Sequence, residues 1–234
     1  GGPKMTSEDN VIKDLFSEEG SRKVLSIYWT FLVVILIYHA TVFWVIMQDD
    51  IQSKNDQPSF SISFEEFSDI STESRTINDG EESVIQYTAQ PGMFDSHSGF
   101  GMLYVNISYT ETSGEIADPC DTVSADLAPT GANADWNNPN NDLSGVSSDC
   151  ETISLVLHVF PEYLGENYNV IGGNEQYWIE SWTDSSHGEG TFNLEVEVIV
   201  NEPVTSGIPT VSDTDEEVTV TWEAVFFDVS ASQV

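Results

Sequence analysis

Hydrophobic and polar positions follow two regimes along the chain. From Val24 to Met47 the sequence is VLSIYWTFLVVILIYHATVFWVIM, with no Asp, Glu, Lys or Arg. As a helix, at about 1.5 Å per residue, it measures roughly 36 Å and covers a hydrocarbon core of about 30 Å. Tyr28 and Trp29 stand near one end, Phe43 and Trp44 near the other. Amphipathic rings favour the headgroup layer at both. The run is longer than a signal-peptide core. It also ends in Phe43-Trp44-Val45-Ile46-Met47, without the small residues of a cleavage site. It therefore reads as a permanent transmembrane helix, a signal anchor.

Beyond this run the apolar period becomes two. Phe60, Ile62 and Phe64 alternate, Val84-Ile85-Gln86-Tyr87 marks a second segment, and Leu103, Val105, Ile107 and Tyr109 form a third. Ile153, Leu155, Leu157 and Val159 follow, then Tyr177 to Trp182. Two long rows close the chain: Phe192, Leu194, Val196, Val198 and Val200, then Val218, Val220, Trp222, Ala224 and Phe226. Gly, Pro, Asn and Ser separate the segments. The pattern predicts about seven strands in an antiparallel β-sandwich, immunoglobulin-like or jelly-roll-like. The expected protein is mainly β: residues 1–23 a short tail, 24–47 the transmembrane helix, 48–58 a linker and 59–234 the sandwich. Gln86-Tyr87 and Ser96-His97 recur as Gln176-Tyr177 and Ser186-His187, each set leading through a Gly-x-Gly into a strong strand. This suggests either an internal duplication or merely similar hairpins.

Charge adds a side to the membrane. The chain carries 40 acidic and 6 basic residues, a net −34. Lys4, Lys13, Arg22 and Lys23 precede the span and only Lys54 and Arg75 follow it. By the basic-residue count, the N-terminus is cytoplasmic and the C-terminal domain lies outside. From Thr76 to Val234 there are 28 Asp and Glu and no Lys or Arg. Such a surface repels nucleic acid and anionic lipid, which excludes those two partners. It suits a salt-adapted domain in a saline exterior, although simple solubility accounts for it equally well.

Candidate chemistry is sparse. Cys120 and Cys150 are the only cysteines, and in an exterior domain they predict one disulfide closing a loop of about 30 residues. Asn106-Ile107-Ser108 is a glycosylation sequon, which places Asn106 among the site residues. Asn140-x-Asp142-x-Ser144-Gly145, with Glu151 closing, approximates the calcium loop Asp-x-Asp/Asn-x-Asp/Asn-Gly-x5-Glu, so Ca²⁺ is the one cofactor considered. The match departs at Asn140, and ordinary Asx turns explain the same residues. Inside the span Tyr38, His39 and Thr41 offer polar groups for contact with a partner helix.

For catalysis there are three exterior histidines. His97 and His187 fall in turns near Asp95 and Asp184, and His158 falls mid-strand, facing outward. No Ser sits in a Gly-x-Ser-x-Gly elbow and neither cysteine is expected to be free. The reading is a single-pass membrane-anchored extracytoplasmic β-sandwich. It would act as an interaction, structural or accessory module of the cell envelope or a membrane complex. Its partners are the membrane and other membrane or envelope proteins. The rival is a membrane-tethered hydrolase with a His/carboxylate loop site. A deep cleft lined by His97 and His187 favours the hydrolase, and a flat acidic face favours the module.

Overall fold

The computed structural model describes residues 19–55, 57–110, 120–129, 131–201 and 214–234. The chain divides into two units, residues 1–57 and 58–234.

In the first unit, α1 spans Glu19–Asn55. Its 26-residue stretch Gly20–Val45 is long and apolar enough to cross a membrane, and among the described residues none of its apolar window is buried. The helix continues past Met47 to Asn55, through residues that the sequence reading assigned to a linker. Thr30 and Thr41 donate their hydroxyl hydrogens to the carbonyls of Ser26 and Ile37, each at 2.7 Å. Such back-bonding satisfies a hydroxyl within its own helix.

The second unit is mostly β and antiparallel. Its strands are β1 (Ser59–Asn78), β2 (Glu82–Tyr87), β3 (Gly99–Tyr109), β4 (Thr122–Ala128), β5 (Ser144–Ser147), β6 (Ile153–His158), β7 (Tyr168–Ile171), β8 (Phe192–Ile199) and β9 (Asp215–Gln233). Two short helices, α2 (Pro91–Ser96) and α3 (Glu175–Ser181), lie between strands. One sheet has the order β6-β3-β9-β1-β7 and the other β2-β8-β4-β5. The antiparallel pairs nest: β1 with β9, β2 with β8, β3 with β6, β4 with β5. A ribbon of nested pairs, wrapped so that successive pairs alternate between sheets, is a jelly roll, and β7 is an addition at its edge. This decides between the two sandwich types expected from the sequence.

Alternation supplies the core. Leu103, Val105 and Ile107 from β3, Leu194, Val196 and Val198 from β8, and Val218, Val220, Trp222 and Ala224 from β9 are all buried between the sheets. Trp222 stacks on Tyr87 with centroids 5.5 Å apart. Further along β9 both Phe226 and Phe227 are fully buried. Phe226 joins the sandwich core, and Phe227 joins a separate cluster with Phe160 and Tyr163. A further cluster gathers Phe60, Ile62 and Ala231 beneath Trp178, Ile179 and Trp182. The β1–β9 ribbon is thus covered by an added layer built from residues 159–182.

That layer overturns one predicted strand. Tyr177 to Trp182 lies in and just after the helix α3. The Asn174 side chain caps the helix by accepting the Tyr177 N–H at 2.8 Å. Trp178 and Trp182 are four residues apart and therefore share a helical face. The strands absent from the sequence reading are β4, β5 and β7. Among the described residues they bring the total to nine, with only four residues each in β5 and β7. Duplication gains no support. Gln86-Tyr87 lies in β2 and Gln176-Tyr177 in α3, while Gly99-Phe100-Gly101 opens β3 and Gly188-Glu189-Gly190 precedes β8, strands of different sheets.

Candidate functional site

Residues alternate across the second sheet, so half of each strand faces out. Glu82 stands opposite Glu197, and Asp126 opposite Glu195. These four exposed carboxylates, with Ser124, Ser144 and Val146, line a concavity of about 550 Å³. Like charges directly opposite one another on a sheet are unfavourable. Among the described residues, the wall of the concavity is made of carboxylates, serines and small apolar groups, with no histidine.

The three histidines of the second unit lie elsewhere, each packed against neighbouring side chains. His97 is the residue after α2, and its ring stacks on Phe67 with centroids 4.5 Å apart. Its Nδ1 lies 3.4 Å from an oxygen of Asp228, not from Asp95 as the sequence spacing suggested. Asp228 also accepts the Ser98 N–H at 3.0 Å, which fixes the carboxylate. His187 lies 3.6 Å from Asp184, the neighbour expected for it, and 4.9 Å from the Phe160 ring. Its Nδ1 is buried and has no hydrogen-bond partner among the described residues. The Asp184 carboxyl is held below the usual range by the Ser186 hydroxyl and N–H, and to a lesser degree by His187.

His158 corrects the sequence reading. It is buried at the end of β6, because the 135–141 loop closes over it. Asn141 Oδ1 accepts the His158 N–H at 2.8 Å and lies 3.1 Å from Nδ1.

The remaining candidate residues are placed as follows. Cys120 and Cys150 form the disulfide, with Cα atoms 5.5 Å apart. Asp142 exchanges both backbone hydrogen bonds with Val156, at 2.9 and 2.8 Å, and Ser144 opens β5 opposite Asp126. Asn140 donates its N–H to the Asn138 side chain at 3.0 Å, and Glu151 is exposed beyond the disulfide. The Asn140, Asp142, Ser144 and Glu151 set is therefore strung along a turn, a bridge and a strand. Among the described residues, no three His, Cys, Asp or Glu side chains group to hold a metal ion. Asn106 lies on the outer side of β3, where its side chain accepts the Ser154 hydroxyl at 2.8 Å. In α1, Tyr38 and His39 are exposed and meet edge to face at 5.6 Å, while Thr41 is engaged with its own helix.

Sequence reasoning missed a second cavity, of about 280 Å³, walled by Phe64, Tyr168 and Trp182 and edged by Glu162 and Glu166. Each of these residues reads in sequence as core or loop. The topology alone brings β1, β7 and the end of α3 together.

No protein-family model and no curated protein matches the sequence. Among solved structures, a chain of the Nora virus structure is similar at 12% identity and a TM-score of 0.32, over 72% of this chain and 60% of that one. A chain of Desmodium yellow mottle tymovirus is similar at 8% identity and a TM-score of 0.23, over 69% of this chain and 88% of that one. This chain thus spans less than two thirds of the Nora virus chain. The jelly-roll assignment rests on strand order and stands without either likeness.

Proposed function

We propose that the chain is a single-pass membrane protein whose N-terminal helix holds the jelly-roll domain outside the cytoplasm. There it acts as an interaction, structural or accessory module of the envelope or of a membrane complex. The observation that carries the reading is the charge-free stretch Val24 to Met47 of α1, within a segment long and apolar enough to cross a membrane and uncovered among the described residues. Apolar surface of that extent is stable only in lipid or against other apolar helices. The excess of Lys and Arg before the span supports the orientation. The acidic outer sheet and the ring-packed histidines favour a module over a tethered hydrolase with a His/carboxylate site.

Protease added to intact cells tests this reading. It should remove the bulk of the chain and leave a small membrane-protected fragment. Protection of the whole chain sinks the orientation, and recovery of the chain in the soluble fraction sinks the anchor. Calcium at Asn140, Asp142, Ser144 and Glu151 is a separate proposal. Millimolar Ca²⁺ at constant high ionic strength should raise the melting temperature by linkage, and Asp142→Ala with Glu151→Ala should abolish the rise.

A further inference from the structure

The cavity between β1, β7 and α3 has the chemistry of a receptor for a small organic cation. Trp182 meets Phe64 at 79° with centroids 5.0 Å apart, and meets Tyr168 at 66° and 6.3 Å. Phe64 and Tyr168 are closer to parallel, at 26°. Trp182 therefore stands across the other two rings, and the three form a corner instead of a flat platform.

The corner is held from several sides. The Trp182 Nε1–H donates to the Tyr168 hydroxyl at 2.7 Å, and Trp182 stacks on Phe160 at 5.4 Å. Phe64 is gripped edge-on by Tyr163 and Phe227, at 5.3 and 5.5 Å, and its N–H donates to Asn167 Oδ1 at 3.1 Å. Preorganisation of this kind lowers the ordering cost of binding.

Charge selects the occupant. Glu162 and Glu166 border the rings, and among the described residues neither makes a hydrogen bond or ion pair. The domain supplies no lysine, and its one arginine, Arg75, is engaged by Glu73, Ser83 and the Val84 carbonyl. Aromatic faces carry negative potential and attract cations within about 6 Å of the centroid, most strongly for tryptophan. A hard metal ion would want oxygen ligands instead of rings. A neutral sugar would want an open flat ring face.

We propose that Phe64, Tyr168 and Trp182, with Glu162 and Glu166, bind a free quaternary ammonium compound. The site stands whichever side of a membrane the domain occupies.

The test titrates choline chloride into the full chain in a polyoxyethylene-ether detergent at fixed ionic strength, read by calorimetry and tryptophan fluorescence. Parallel titrations use 3,3-dimethyl-1-butanol, the uncharged isostere, sodium chloride, glucose, and mixed micelles containing phosphatidylcholine. Choline should bind saturably and the isostere at least about tenfold more weakly. Tyr168→Ala, at an edge strand, should weaken choline roughly threefold or more. Glu162→Gln with Glu166→Gln should weaken it several-fold, and less at high salt. Glu195→Gln with Glu197→Gln, the same charge change on the other sheet, should leave affinity unchanged. Equal response to the isostere, binding of glucose without choline, response only to phosphatidylcholine, or no effect of the cavity variants overturns the proposal.

Discussion

Tyr109 accepts the Cys150 N–H on its hydroxyl oxygen at 3.3 Å while donating to the Asp121 carbonyl at 2.9 Å. A buried tyrosine at the end of β3 thus ties together the two chain segments that the disulfide joins. The crosslink restrains a loop of 30 residues in the unfolded chain. Chain entropy alone then assigns it roughly 3 kcal/mol.

Cys120→Ser with Cys150→Ser should therefore lower the melting temperature by roughly 6–12 °C, given about 2–4 °C per kcal/mol at this size. Reductant should do the same to the native chain and nothing to the double variant. A native melting temperature indifferent to reductant would show that the staple contributes nothing.

The long alternating rows were legible because each buries one full face. Phe192 to Val198 and Val218 to Phe226 went into the core as their period dictates. The jelly-roll order was not legible, since strand alternation fixes which face is buried and not which strand lies alongside. α3 escaped for a different reason. Tyr177 to Trp182 is short and rich in aromatics, which fit a strand as well as a helix, and only the Asn174 cap and the bare face of β1–β9 decided the matter. Of the site residues, the disulfide followed from arithmetic on two cysteines. The aromatic corner did not, because Phe64 and Trp182 lie 118 positions apart and meet only through topology.

The acidic sheet predicts a salt-dependent stability. Glu195 stands between Val84 and Asp126, and Glu197 between Glu82 and Ser124, so each has a carboxylate across the strand. Glu195→Gln removes one such repulsion and should stabilise by about 0.5 kcal/mol at low ionic strength. Screening shortens with added salt, so the gain should fade toward 1 M NaCl while the native melting temperature rises to meet it. Denaturation curves at several salt concentrations report both. A gain that persists undiminished in high salt would assign the effect to something other than charge.

Alkaline pH should destabilise the domain through its tyrosines. Burial raises the Tyr163 hydroxyl well above its ordinary value near pH 10, and the hydrogen bond to Glu66 raises it further. Burial acts likewise on Tyr87, reinforced by Asp69. A raised folded value favours the neutral phenol, so this stability is complete below about pH 10 and is lost as pH climbs toward the folded value. Tyr163→Phe should cost about 1 kcal/mol at neutral pH through the lost hydrogen bond. It should also flatten the decline above pH 10. Melting temperatures between pH 8 and 11 measure the slope, and an unaltered slope in the variant would clear Tyr163 of the effect.

Gly101 makes the added layer fit. The register of β3 against β9 shifts between Phe100 and Met102, and at this irregularity the Gly101 carbonyl accepts the N–H groups of Val159 and Phe160, at 2.9 and 3.1 Å. The chain after β6 is thereby drawn onto β3, which seats the Tyr163 ring directly over Gly101, where any Cβ would collide with it. Tyr163 also stacks on Phe227 at 4.4 Å, and the rigid ring cannot retreat without disturbing that contact. Gly101→Ala should therefore cost about 1–3 kcal/mol, the range for overpacking a filled site. Tyr163→Ala should cost about 3–5 kcal/mol through its cavity. If the collision is the cause, Gly101→Ala introduced into the Tyr163→Ala background should cost less than about 0.5 kcal/mol, because the methyl then enters vacant space. Urea melts of the four proteins in this cycle give the coupling directly. Simple additivity would mean that Gly101 is required for its backbone at the irregularity and not for the room it leaves Tyr163.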